Sequence, residues 1–163
     1  MGYFIGLIIM ESVSIFTRRV GFFRRMIALS FDAIVVVLLE IALAAICLGL
    51  VWIACQIQWI KPVGDLEVYL GGQGWYQGLI WILFFGYYLY GWSVHGQTIA
   101  MHLLRMRVQN IDHSNISFTQ AVIRFSTAMF GLGNFIVLVD AAQRLALQDR
   151  WANCEVIDLN DAD

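Results

Sequence analysis

Residues 33–55 read AIVVVLLEIALAAICLGLVWIAC, with Glu40 as the one charged residue. A helix gains about 1.5 Å per residue, and roughly 20 apolar residues cross the hydrocarbon core of a bilayer, so this stretch is long enough to span. Composition points the same way. Hydrophobic residues make up 60% of the 163-residue chain and charged residues 13%. One soluble domain of that length has too little interior to hide so much apolar side chain. Lipid is the better solvent for it. The formal net charge of −2 gives no basic footprint for nucleic acid.

Working outward, the first span extends over about 27–56, longer than the core alone requires. Tilt, or an end among the headgroups, absorbs the excess. Lys61, Pro62, Gly64, Asp65, Glu67 and the Gly71-Gly72-Gln73-Gly74 run then read as a loop. A second span covers 75–95. Trp75 and Tyr76 lie at one end and Tyr87, Tyr88, Tyr90 and Trp92 toward the other, as in an interfacial aromatic belt. Residues 96–117 are polar and basic. Within them, 106–110, the turn Asp112-His113-Ser114-Asn115 and 116–118 read as a small hairpin. A third apolar segment runs over about 118–139. The fold class expected is an all-α membrane protein, a small bundle of three transmembrane helical segments. A short N-terminal interfacial helix and a small cytoplasmic β-hairpin complete it. In domain terms, 1–20 is an interfacial or flexible segment carrying Phe4, Ile5, Ile8 and Ile9, 21–157 the membrane domain, and 158–163 a mobile acidic tail. The apolar run 3–10 precedes the arginines, the reverse of a cleaved secretory signal.

Arginine bias sets the orientation. Arg18, Arg19, Arg24 and Arg25 crowd the start of span one, and Arg105 and Arg107 follow span two, whereas the loop between the spans carries only Lys61. The N-terminus and second loop are therefore expected in the cytoplasm. A simple crossing of the third segment puts the tail outside, and that is the arrangement expected. The alternative pairs a strand-like piece at 154–157 with 107–109, which requires the third segment to turn back at 131–134. Such backbone is tolerated at membrane depth only where protein covers it.

Four passages resemble one family in order and spacing: GFFRRMIALSFD at 21–32, GQTIAMHLLRMRV at 96–108, ISFTQAVIR at 116–124 and QDRWANCEV at 148–156. They are similar to the RDD family, named for one arginine and two aspartates. The second is like its G-x-T-x-G-K loop, the third like its F-x-x-A-x-x-R passage, and the fourth like its H-D-x-x-A-G-T-x-V ending. Ala100 and Met101 stand in place of the Gly-Lys pair, and Gln148 in place of the histidine. The resemblance makes Arg25, Asp32 and Asp149 the signature residues. It implies a small polytopic protein of the bacterial inner membrane, in a family some members of which are suspected of moving ions or solutes.

Five polar residues stand out. Arg25 and Asp32 are seven positions apart, so they share a helix face with an axial separation near 10 Å. A direct pair between them is strained. Arg25 is expected to snorkel to the headgroups, and Asp32 to pair with Arg124 on the third segment. Glu40 lies deep in the apolar layer, where an ionisable group is costly unless paired, hydrated or protonated. It should face the bundle interior. There it hydrogen-bonds a neighbouring helix as a neutral acid, handles a proton or cation, or meets another protein. Asp149 is expected to bond backbone amides at the start of the last turn, or a loop arginine such as Arg105.

No catalytic constellation is visible. His95, His102 and His113 are dispersed, and Cys47, Cys55 and Cys154 show no paired spacing, so neither metal nor cofactor is expected. The expectation is a non-enzymatic membrane protein that assists ion or solute movement or scaffolds a complex that does; the alternative is a purely structural accessory subunit. Three helices enclose little space, which favours a homo-oligomer or a larger membrane complex as partner, besides the bilayer itself.

Overall fold

The computed structural model of the chain describes residues 19–61, 64–128, 133–139 and 145–161. The interfacial segment expected over 1–20 therefore lies outside the described residues, apart from Arg19 and Val20. Helix α1 is Phe22–Gln56, 35 residues long. Its buried positions are Arg25, Ala28, Asp32, Val36, Cys47 and Val51, with half-buried Glu40 and Leu43 continuing the same i, i+3/i+4 stripe. The stripe is narrow and rich in small or polar residues. The remaining surface presents Phe31, Ile34, Val37, Leu38, Ile41, Ile46, Leu50 and Ile53 outward. This inverts the amphipathic pattern of a water-soluble helix, which turns its apolar side chains inward. Within lipid the helix satisfies its own backbone groups, and exposed aliphatic side chains carry no penalty. Gln58, at φ +60°, ends it, and Trp59 N–H donates to the Ala54 carbonyl at 2.9 Å.

A short helix α2, Leu66–Gly71, packs on the far end of α1 through Leu70, Cys47 and Val51. Helix α3, Gly74–Tyr90, runs back along α1 and continues as one π-helical turn, Gly91–His95. Together they cover the expected second span. The aromatic belt is corrected in part: Tyr90 is exposed, but Tyr88 and Trp92 are buried in the core. The π turn ends at Gly96, whose φ is +70°. A Cβ there would stand 2.9 Å from the Val108 carbonyl oxygen, so glycine is required on both counts.

Helix α4, Ile99–Leu103, is capped by the Thr98 hydroxyl and leads into strand β1, Met106–Gln109. Three expectations are corrected beyond it. First, the turn at 110–115 is present, with Ser114 N–H donating to Asp112 Oδ1 at 3.0 Å, but the partner of β1 is not 116–118. It is strand β2, Glu155–Asp158, antiparallel, with Arg107 opposite Ile157. Val20 N–H adds a third edge by donating to the Val156 carbonyl at 3.0 Å. Ile116 instead fills the core beneath, where Met106, Val108 and Val156 are also buried. Second, the third segment is not one continuous α-helix over 118–139, because residues 133–135 form a 3-10 turn. Helix α5 is described over Phe118–Ala128, 11 residues, and helix α6 over Ile136–Val139. Eleven residues rise about 16 Å, roughly half the hydrocarbon thickness. Because β2 pairs with the strand preceding α5, the chain comes back beside β1, as in the alternative pairing of 154–157 with 107–109. Third, the acidic end is docked at its start. Asp158 pairs with Arg24, and Leu159 N–H donates to the Arg105 carbonyl at 2.8 Å, before a 3-10 turn over Leu159–Asp161.

Candidate functional site

Helix α7, Leu147–Trp151, carries Asp149 into the interior, where it is fully buried. Its Oδ2 accepts from Arg25 Nη1 at 2.6 Å and from the Ala146 amide at 3.1 Å, and its Oδ1 accepts from Arg124 Nη1. Two guanidiniums from α1 and α5 thus converge on one carboxylate. Burial pushes the Asp149 carboxyl up, but the Arg124 and Arg25 charges outweigh it and hold it below the usual aspartate range. Arg25 does not snorkel: it is 5% exposed and also donates from Nε to the Val20 carbonyl at 3.1 Å. Arg124 Nη1 also reaches Cys154 Sγ at 3.4 Å, and the Arg124 guanidinium lies 5.1 Å from the Trp92 ring centre. Burial keeps the Cys154 thiol pushed up, against the pull of Arg124.

Asp32 belongs to a second node. The expected pair with Arg124 is absent, because Asp149 occupies that arginine. Asp32 Oδ1 accepts from the Tyr87 hydroxyl at 2.5 Å and the Ala100 amide at 3.2 Å, and Oδ2 accepts from the Thr98 hydroxyl at 2.6 Å. These donors come from α3 and the start of α4, so one carboxylate ties three elements without a countercharge. Glu40 is half-buried two turns farther along the same stripe and has no hydrogen bond or ion pair among the described residues.

Between the two nodes lies a cavity of about 320 Å³. Its apolar wall includes Ala28, Leu29, Phe84, Phe85 and Phe125, and its polar end has Arg124, Trp92, Asn134 and Gln148. Gln148 Nε2 donates to Asn134 Oδ1 at 2.6 Å. Three buried polar atoms at this end have no hydrogen-bond partner among the described residues: Trp92 Nε1, Arg124 Nε and Gln148 Oε1. Among the described residues no three His, Cys, Asp or Glu side chains gather.

The model of the RDD family matches residues 19–153, the whole of both nodes included. This chain belongs to the RDD family. No curated protein and no solved structure matches it. The family match and the lipid-suited face of α1 make this RDD protein a membrane protein, and α1 is long and apolar enough to cross by itself. Of the three residues the resemblance singled out, the fold joins Arg25 to Asp149 and adds Arg124; Asp32 stands apart. Of the partners expected for Asp149, the backbone amide at the start of the last turn is present, from Ala146. Both departures from the family pattern fall at working positions: Ala100 gives its amide to Asp32, and Gln148 lines the cavity. Sequence reasoning missed Tyr87, Thr98, Trp92 and Gln148. Two of these carried a signal, Thr98 as a threonine at a helix N-cap and Gln148 as the residue standing in place of the family histidine.

Proposed function

We propose that this RDD protein is a non-enzymatic, multi-pass protein of a bacterial inner membrane, its N-terminus cytoplasmic, that assists the movement of an ion or solute or scaffolds a complex that does. The observation that carries this reading is the cavity beside Asp32, a concave space with a few convergent polar groups set in an otherwise apolar wall. The arginines of the α1 start and of the β1 region support the orientation. Two crossing-length segments, α1 and α3 with its π turn, enclose no sealed path alone, which supports a homo-oligomer or a larger complex.

Reconstituted vesicles test it. Flux of an ion or solute is expected, and is expected to fall with Asp32→Asn or Glu40→Gln. Flux that survives both changes removes the ion-site reading. A purely structural accessory role is the second reading, and the full occupation of Asp32 by three donors favours it. On that reading, extraction in native lipid followed by mass measurement finds a fixed partner and vesicles show no flux.

A further inference from the structure

The cavity has two unlike ends, and the polar one is incomplete. Arg124 and Trp92 are 5% and 8% exposed, yet among the described residues Arg124 Nε–H and Trp92 Nε1–H have no acceptor. Buried donors without an acceptor are rare and costly. The nearby carboxylates are already engaged: Asp149 by two guanidiniums and an amide, Asp32 by two hydroxyls and an amide. Among the described residues no acceptor meets these two donors, which points to a ligand as the source of one. Beside a guanidinium, an oxyanion fits best. The rest of the wall is apolar, and Phe85 and Ser126 on it are exposed on the outer surface of α3 and α5. A small hydrophilic anion gains nothing from such a wall, whereas an acyl chain does. The site also lies in the first three turns of α1, near the arginine-rich end where headgroups sit.

We propose that the cavity holds a single-chain acyl amphiphile with an oxyanion head. The head accepts from Arg124 Nε and Trp92 Nε1, and the chain lies against Phe84, Phe85 and Phe125. Gln148 Oε1 accepts from a protonated head oxygen or from a water the head brings. Asp32 does not oppose the head, because its two oxygens are turned to the donors of α3 and α4. The volume is at the small end of ligand pockets, about 300–1,000 Å³, which suits one chain of medium length. The same head-and-tail chemistry is offered by a free fatty acid and by one chain of an anionic phospholipid. This assignment rests on the cavity being the solute site of the proposed function.

The test uses the full chain in phosphatidylcholine nanodiscs and radiolabelled dodecanoate. Saturable binding of one dodecanoate per chain is expected, with dodecanol and acetate failing to compete at equal concentration. Trp92→Phe keeps the ring under Arg124 but removes one donor, and should weaken binding about tenfold. Ala28→Leu fills the apolar end and should abolish binding. The two substitutions lie on different helices and leave the Asp149 cluster intact, so either folded variant is decisive. Competition by added phosphatidylglycerol identifies a bilayer lipid as the occupant; its failure identifies a free fatty acid. Absence of saturable binding, or binding unchanged in a folded variant, overturns the assignment. Binding without flux leaves it standing and removes the transport reading, while flux without binding does the reverse.

Discussion

Asp149 offsets its own burial by accepting from two arginines and a backbone amide, and each arginine depends on it in return. Removing one partner of such a cluster leaves uncompensated buried charge. Asp149→Asn should therefore destabilise the protein by about 3–5 kcal/mol, read from unfolding in detergent. The pH dependence has a fixed sign. Asp149 and the Arg24-paired Asp158 both have carboxyls held below their ordinary value. Their stabilisation is complete above the unfolded aspartate value, about 3.9, and is lost as pH falls through the lower folded values. Melting temperature should thus hold between about pH 5 and 7 and drop below pH 4, and the acid drop should be smaller in Asp149→Asn. The sequence displayed all of these charges but not their pairing. Arg25 and Asp149 are 124 positions apart, and no local period relates them. Charge cost at depth correctly required Asp32 to have partners. It could not say that two hydroxyls and an amide would serve in place of a guanidinium.

At the scale of elements, the joint between α3 and β1 depends on one glycine. Gly96→Ala places a side chain in a left-handed conformation against the Val108 carbonyl, and should cost on the order of 1–3 kcal/mol. Gly49 is the control. It lies within α1 with open space around it, so Gly49→Ala should be neutral or stabilising by up to about 1 kcal/mol. Comparable losses from both substitutions, measured as shifts in unfolding midpoint, would contradict this. The helices α1 and α3 were legible because their apolar runs are long. Strand β1 was legible by composition, and its partner was legible only as the alternative, 154–157 against 107–109, which is the pairing observed. A four-residue strand has too little alternation to specify register, and the turn chemistry at Asp112 to Asn115 pointed to the nearest downstream segment. The real partner lies across the whole of α5, α6 and α7.

For the whole molecule, the third apolar segment decides on which side the chain ends. With β2 paired to β1, Asn115→Cys and Asn160→Cys should be labelled by a membrane-impermeant thiol reagent from one side. Gln58→Cys, introduced with Cys55 replaced by serine, should be labelled from the other. Labelling of position 160 together with position 58 would restore the simple crossing. Hydropathy reported the third segment as greasy and correctly so; what it could not report is that protein receives the face of α5 carrying Ala121 and Arg124. The long reach from Arg25 to Asp149 also bears on how the protein is made. In the order of synthesis 124 positions separate Arg25 from the aspartate that neutralises it, so the charged core closes only once that aspartate has been made. Before that point the positive charge of Arg25 is not yet offset by Asp149, and basic residues flanking an apolar run favour its retention on the cytosolic side.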